Sequence, residues 1–178
     1  GILGVLVIAS TIVLILRRLH PERSYTELAQ RINSWWIMVG VFSIAILLSR
    51  TTSIIFFAFV SFLALKEYFS LIPTRRADRR VLFWAYAAIP FQYYWVHEQW
   101  YGMFIIFIPV YLFLLLPMRM VIIGETKDFL RAAGTLHWGL MTMVFSLSHA
   151  AFFLVLDGPR NPAGGGAGLV LYLIFLTQ

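Results

Sequence analysis

Residues 35–65 read WWIMVGVFSIAILLSRTTSIIFFAFVSFLAL, an apolar stretch that only the polar run around Arg50 interrupts. A membrane-spanning helix needs about 20 apolar residues. A single helix over the whole stretch would place Arg50 near the bilayer centre, where a charged side chain is costly. The stretch therefore predicts two short spans that are joined by a tight turn at Arg50.

The composition of the whole chain excludes an ordinary soluble domain. Of its 178 residues, 61% are hydrophobic, 17% are aromatic and only 12% are charged, against about 25% charged residues in soluble proteins. A soluble core of this size could not bury so much apolar surface. The chain contains no cysteine, which excludes disulfides, thiolate metal sites and cysteine nucleophiles.

Working outward from residues 35–65, the apolar runs predict an all-α fold, a polytopic transmembrane helical bundle of about seven spans. We expect one transmembrane domain over residues 1–178, incomplete at its C-terminus because the last apolar run is cut short at Gln178. We also expect short interfacial helices between Pro21 and Trp36 and near residues 118–134, where Thr126 would cap a helix that Gly134 ends. The predicted spans are at about 1–16, 35–49, 53–65, 81–96, 100–117, 135–156 and 168–178.

The basic residues predict the orientation of these spans. With seven spans, alternate loops place 12 of the 14 basic residues on one side of the membrane and only Arg50 and Arg160 on the other. Cytosolic loops carry the excess of Lys and Arg. We therefore expect an inner-membrane, multi-pass protein with its N-terminus outside and its basic loops in the cytosol. The larger set is Arg17, Arg18, Arg23, Arg31, Lys66, Arg75, Arg76, Arg79, Arg80, Arg119, Lys127 and Arg131.

The most basic stretch, residues 66–80, is the first candidate for chemistry. Its arginines could hold phosphate, because a guanidinium matches phosphate oxygens. They could equally be topology determinants that rest on anionic lipid. Lys66 and Glu67 end a short span and could line a cavity, or Lys66 could extend its amine to the interface beside a local partner.

The sixth predicted span carries polar and small residues on one helical face. Ser146 and His149 could form a nucleophile and its base, but no acidic partner is evident. The alternative is close helix packing with interhelical hydrogen bonds. The glycines at 164–166 lack the lysine and hydroxyl of a phosphate-binding loop, which favours a flexible hinge or close helix packing. The face consists of Thr135, Gly139, Thr142, Ser146 and His149.

Five short motifs resemble the phosphatidate cytidylyltransferase (CDP-diacylglycerol synthase) family, particularly its bacterial YnbB-like branch. The similarity runs in the same order from about Arg31 to Gln178. The motifs are RINSWW at 31–36, KEYFSL at 66–71, PTRRAD at 73–78, GET at 124–126 and LTQ at 176–178.

The resemblance implies an enzyme that transfers CMP from CTP to phosphatidate, giving CDP-diacylglycerol and pyrophosphate, with Mg²⁺ or another divalent cation. In the family, an Asn-Asp pair closely follows the position of Gln178, and the catalytic aspartates lie in the C-terminal half. We therefore expect no catalytic or metal-binding residue in this segment, and no turnover of CTP by it alone.

The resemblance implies that residues of this segment contact the substrates. Lys66, Glu67, Arg75 and Arg76 are the expected contacts for the phosphate of phosphatidate or of the nucleotide. Membrane lipid and CTP are the expected partners, nucleic acid is not, and a homodimer is left open. The residues alone leave two alternatives: a small transporter or channel subunit, with spans kinked at Pro90 and Pro109, or a non-catalytic scaffold that binds anionic lipid.

Overall fold

The computed structural model of the chain describes residues 2–19, 25–72, 78–124, 128–156 and 166–177, and these residues contain helices and no strands. The all-α prediction is therefore confirmed for this part of the chain. Its α-helices are α1 (Ile2–Leu19), α2 (Thr26–Leu48), α3 (Arg50–Leu71), α4 (Asp78–His97), α5 (Tyr101–Ile106), α6 (Phe113–Ile123), α7 (Phe129–Leu140), α8 (Ser146–Phe153) and α9 (Gly166–Thr177). Two π-helical segments, π1 (Phe107–Leu112) and π2 (Met141–Phe145), join α5 to α6 and α7 to α8.

The chain divides into two compact units. Unit 1 comprises residues 1–49 and 171–178, and unit 2 comprises residues 50–170. In unit 1, α1 packs against α2, and the indole N–H of Trp36 donates to the Ser10 hydroxyl at 3.0 Å. Large apolar side chains remain exposed on both helices, among them Ile8 and Ile37. Contiguous exposed apolar surface of this kind is typical of helices that contact lipid or a partner.

α2 corrects the prediction of a separate interfacial helix before the second span. Residues 26–48 form one helix that continues through Trp35 and Trp36. Glu27 and Arg31 form an ion pair at 2.8 Å one turn apart, which supports the first turns of an exposed helix. Because no proline or glycine lies between Thr26 and Val39, nothing interrupts the helix where a break was expected. The expected start at Pro21 lies outside the described residues.

The break around Arg50 is confirmed. α2 ends at Leu48, Ser49 is extended (φ −165°, ψ 159°), and α3 begins at Arg50. The guanidinium of Arg50 lies against the side-chain amide of Gln99, whose oxygen accepts from Nη1 at 2.9 Å once the amide is oriented with its oxygen toward the arginine. Arg50 therefore lies at a helix end with a polar partner, and its charge is not placed at the centre of an apolar helix.

Unit 2 is built from four helical rods that alternate in direction: α3, α4, residues 101–123 and residues 129–153. The hydroxyls of Ser61 on α3 and Tyr93 on α4 are 2.7 Å apart, whereas Phe69 on α3 packs on Tyr86 with ring centres 6.0 Å apart. The later residue on α3 contacts the earlier residue on α4, so the two helices are antiparallel.

The third and fourth rods continue this alternation. The ring centres of Phe104 and Phe145 are 6.1 Å apart, and those of Phe113 and His137 are 4.8 Å apart. The two rods are therefore antiparallel. Pro109, expected to kink its span, lies inside π1. Proline cannot donate the usual backbone hydrogen bond, and a local π segment is a common adjustment in such helices.

The expected helix end at Gly134 is wrong. α7 begins at Phe129 and continues through Gly134, and the rod does not end until Phe153. Glycine inside a helix costs about 1 kcal/mol relative to alanine. Burial of Leu136 and Leu140 in the bundle favours continuation by more than that cost. Thr126, the expected cap, lies outside the described residues.

Two helical stretches of the described chain, Arg50–Leu71 and Tyr101–Ile122, are long and apolar enough to cross a membrane. Gly4–Leu16 is apolar but shorter. These stretches agree with a membrane protein, and the seven-span topology stays a prediction.

Candidate functional site

The two ends of unit 2 differ in charge. One end, here called the basic end, is formed by the C-termini of α3 and α6 and the N-termini of α4 and α7. Two contacts hold it together: the Tyr68 hydroxyl donates to the carbonyl of Thr135 at 3.1 Å, and the Arg119 guanidinium lies 5.5 Å from the ring centre of Trp84. The sequence therefore brings basic residues from distant segments to one end of a bundle.

The predicted substrate contacts lie only partly within the described residues. Lys66 and Glu67 are on the last turns of α3, toward the basic end, and both are exposed. Arg75 and Arg76 lie in residues 73–77, outside the described residues. Whether these four side chains touch substrate stays a prediction, and the structure adds that Lys66 and Glu67 are open to a ligand.

Arg119 was not singled out as a binding residue from the sequence. It is half-buried on α6, and its Nε is buried without a hydrogen-bond partner. Among the described residues, its guanidinium has one partner, the face of the Trp84 ring on α4. The available signal was its position between Met118 and Met120, since an ionisable residue within an apolar run is often functional.

His137 is the second unpaired polar group near the basic end. Its Nδ1 is buried without a hydrogen-bond partner, and its ring packs against Phe113. Within the part of the chain that the structure describes, no group of three His, Asp or Glu side chains could hold a metal ion.

The middle of unit 2 contains a buried polar cluster. The Gln92 amide donates to the carbonyl of Phe104 at 3.1 Å and to the Ser148 hydroxyl at 3.2 Å. Ser148 in turn donates to the carbonyl of Phe145 at 2.7 Å. Gln92 and Ser148 are both fully buried, and one atom, Oε1 of Gln92, has no partner. These bonds join three of the four rods, a typical use of polar side chains between membrane helices.

The Ser146–His149 pair is not brought together as a nucleophile and its base. The Ser146 hydroxyl donates to the carbonyl of Met141 at 2.9 Å, and Nδ1 of His149 lies 2.8 Å from the carbonyl of Phe145. Each side chain is thus bonded to its own rod. Elsewhere on the predicted polar face, Gly139 lets Tyr68 approach so closely that an added Cβ would lie 2.6 Å from its ring. The face serves helix packing.

The opposite end of unit 2, here called the Arg50 end, carries polar side chains and aromatic rings. His97 and Glu98 are 3.4 Å apart and each about half exposed. Trp95 and Trp100 pack edge to face with ring centres 5.3 Å apart. Tryptophan and tyrosine are enriched at membrane interfaces, so the described residues give this end the composition of an interface, with fewer cations than the basic end.

Comparisons with known proteins extend this description. The chain is 40% identical over 158 residues to YnbB of Escherichia coli (strain K12), a protein that is itself uncharacterized. The match covers 89% of this chain and 51% of YnbB, so the chain spans about half the length of that relative. No solved structure matches the chain significantly. The sequence profile of the cytidylyltransferase family matches residues 29–178, which include all of unit 2, and the chain therefore belongs to the cytidylyltransferase family.

Proposed function

We propose that this chain is the N-terminal membrane half of an enzyme that transfers CMP from CTP to phosphatidate, producing CDP-diacylglycerol and pyrophosphate. Family membership over residues 29–178 is the observation that carries the proposal. It supports CTP as the nucleotide substrate and nucleotidyl transfer as the reaction class. The apolar helices and the basic end favour a lipid phosphate as the acceptor.

The charge of the basic end suits these substrates. Both CTP and phosphatidate are anionic, and phosphoryl-type transfer is catalysed chiefly by positioning and by stabilising negative charge. Lys66 is exposed near the end of α3, and Arg79 and Arg80 lie in the first turn of α4. In the proposed enzyme, the contacts to substrate phosphate are Lys66, Glu67, Arg75 and Arg76.

A divalent cation, which the proposed reaction would use to neutralise the triphosphate, is not accommodated by the described residues. They contain no cluster of three His, Asp or Glu side chains. The resemblance to the phosphatidate cytidylyltransferase family implies metal ligands outside this segment, and we propose that the present residues contribute substrate binding and the membrane scaffold.

The proposed setting is the inner membrane, with the basic end in the cytosol and the N-terminus outside. This topology can be tested by single-cysteine labelling, because the chain contributes no cysteine of its own. Cysteine at Arg131 should react only with reagent that reaches the cytosol, and cysteine at Glu98 with impermeant external reagent. Labelling of both positions from the same side would contradict the proposed topology.

The function itself is tested with purified full-length protein, radiolabelled CTP, phosphatidate and Mg²⁺. We expect label to enter a lipid with the mobility of CDP-diacylglycerol, and pyrophosphate to be released in equal amount. Omission of phosphatidate is the matched control. Absence of labelled lipid, with folded protein that still binds phosphatidate, would favour the scaffold alternative.

The transporter alternative is supported by one observation. Pro109 lies in a π segment of an apolar rod, and a second π segment lies in the neighbouring rod. Interrupted helices are frequent in transporters. Uptake of a solute into proteoliposomes, without formation of labelled lipid, would support a transporter over an enzyme.

A further inference from the structure

We propose that Arg119, held in place by Trp84, binds the phosphate of an anionic lipid at the basic end of unit 2. The inference rests on the proposed function only where it identifies that lipid as phosphatidate. It adds a substrate-binding residue that none of the sequence motifs contains, and it follows from the surroundings of one side chain.

The first step is that the described residues give Arg119 no counter-ion. Its Nε is buried and has lost contact with water, yet no hydrogen-bond acceptor replaces the water. Among the described residues, no carboxylate lies within ion-pair distance of it. Arg31, by contrast, is paired with Glu27 at 2.8 Å. Because a desolvated charge is costly unless it is paired, an anion that binds the remaining edge of the Arg119 guanidinium would be strongly favoured.

The second step is that Trp84 positions the guanidinium. The guanidinium carbon lies 5.5 Å from the centre of the indole ring, within the range of a cation–π interaction. Stacking of this kind restrains the side chain while leaving the N–H groups at the edge of the plane able to donate. A planar guanidinium held in this way can form two parallel hydrogen bonds to one phosphate.

The third step concerns the direction from which the anion arrives. On α6, the side chains around Arg119 are apolar. Leu116 and Met120 are buried in the bundle, whereas Met118 is 56% and Ile122 64% exposed. Trp84 is itself 39% exposed. Surface of this composition is suited to acyl chains rather than to water. The phosphate that reaches Arg119 is therefore that of a lipid headgroup, and the triphosphate of a soluble nucleotide is the alternative source to be tested.

The fourth step is the charge of the surroundings. Arg131, in the first turn of α7, is exposed at the same end of the bundle, and Lys66 is exposed on α3. Each cation near an anionic membrane surface contributes about 1 kcal/mol to its attraction. Together they concentrate anionic lipid at the end where Arg119 provides the specific contact.

The test measures phosphatidate binding by the full-length protein in phosphatidylcholine nanodiscs, with dioleoyl phosphatidate as the probe and CTP absent. The readouts are lipid retention in native mass spectrometry and the rise in thermal stability that phosphatidate causes. We expect Arg119→Gln to weaken binding by about tenfold or more, since a hydrogen bond to a charged group is lost. Arg119→Lys should retain part of the affinity, and Trp84→Phe should weaken binding less than Arg119→Gln.

Arg31→Gln is the matched control, because it removes an exposed cation that already has a carboxylate partner. It should leave phosphatidate affinity unchanged. The proposal is overturned if Arg119→Gln and wild type bind phosphatidate equally, or if the substitution weakens binding of CTP and leaves that of phosphatidate unaltered. A fall in thermal stability of Arg119→Gln without phosphatidate, with the phosphatidate-induced rise intact, would show a purely structural role and would also overturn it.

The outcome is separable from that of the proposed function. Phosphatidate binding that depends on Arg119, in a protein that forms no CDP-diacylglycerol, supports this site and rejects the enzyme. CDP-diacylglycerol synthesis with an unaltered KM for phosphatidate in Arg119→Gln supports the enzyme and rejects this site.

Discussion

The middle of unit 2 and its basic end differ in the burial and pairing of their polar side chains. In the middle, Gln92, Ser148 and Ser61 are fully buried, and each is hydrogen-bonded to another rod. At the basic end, Lys66 is exposed and Arg119 is half-buried, and among the described residues Arg119 contacts the aromatic ring of Trp84 and no carboxylate. Polar groups that are paired inside the protein stabilise the fold, whereas unpaired cations at a helix end remain available to bind an anion.

This difference predicts where substitutions affect stability and where they affect binding. In the middle, a change should alter the free energy of unfolding by the loss of packing and of interhelical bonds. At the basic end, a change should leave that free energy nearly constant and alter the affinity for anionic lipid. The substitutions below examine the two regions with the same full-length protein in the same lipid.

The largest effect is expected from Gln92→Ala. The substitution removes two hydrogen bonds and leaves a cavity between three rods, so we expect a loss of about 2–4 kcal/mol in the free energy of unfolding. Reversible unfolding in mixed detergent and lipid micelles measures it. Gln92→Leu is the matched control: it fills the space and removes the unpartnered Oε1, and should cost less than about 1.5 kcal/mol. Equal costs for both variants would show that packing around Gln92 contributes little.

A smaller effect is expected for the Ser61–Tyr93 pair, whose hydroxyls are 2.7 Å apart. Ser61→Ala leaves the buried Tyr93 hydroxyl without its partner and should cost about 1–3 kcal/mol. Tyr93→Phe should cost less, because the Ser61 hydroxyl can donate to a carbonyl of its own helix. In a double-mutant cycle, the combined variant should be more stable than the sum of the single losses predicts. Strict additivity would argue against a hydrogen bond between these hydroxyls.

Much of the fold could be predicted from the sequence because the bilayer makes a misplaced charge costly. The cost of burying Arg50 in a span predicted the helix break, which the structure places at Ser49. The predicted spans at 81–96 and 100–117 fall within α4 and the rod at 101–123. Apolar runs indicate where a helix exists, and they are less informative about its ends. The expected helix end at Gly134 and the expected separate interfacial helix between Pro21 and Trp36 were wrong, because local breaking signals were too weak to end a helix that continues.

The candidate site was harder to predict because its contacts join distant segments. Trp84 and Arg119 lie on different rods, as do Gln92 and Ser148, and neither pair belongs to a motif of fixed spacing. In the sequence, Arg119 was counted only as a cytosolic charge. Its environment became evident once the antiparallel arrangement placed the end of α6 against the start of α4. The two π segments could not be predicted from the sequence either, although Pro109 indicated an irregularity in the first π segment.

The smallest effect on stability, and the sharpest contrast with the middle, is expected from Lys66→Gln. The Lys66 side chain is exposed, and surface substitutions of this kind usually change the free energy of unfolding by less than about 0.5 kcal/mol. If Lys66 attracts substrate phosphate, the loss of about 1 kcal/mol of attraction should raise the KM for phosphatidate about fivefold. Lys66→Arg keeps the charge and should restore the KM. An unchanged KM, or unfolding as severe as that of Gln92→Ala, would contradict the division of unit 2 into a stabilising middle and a ligand-binding basic end.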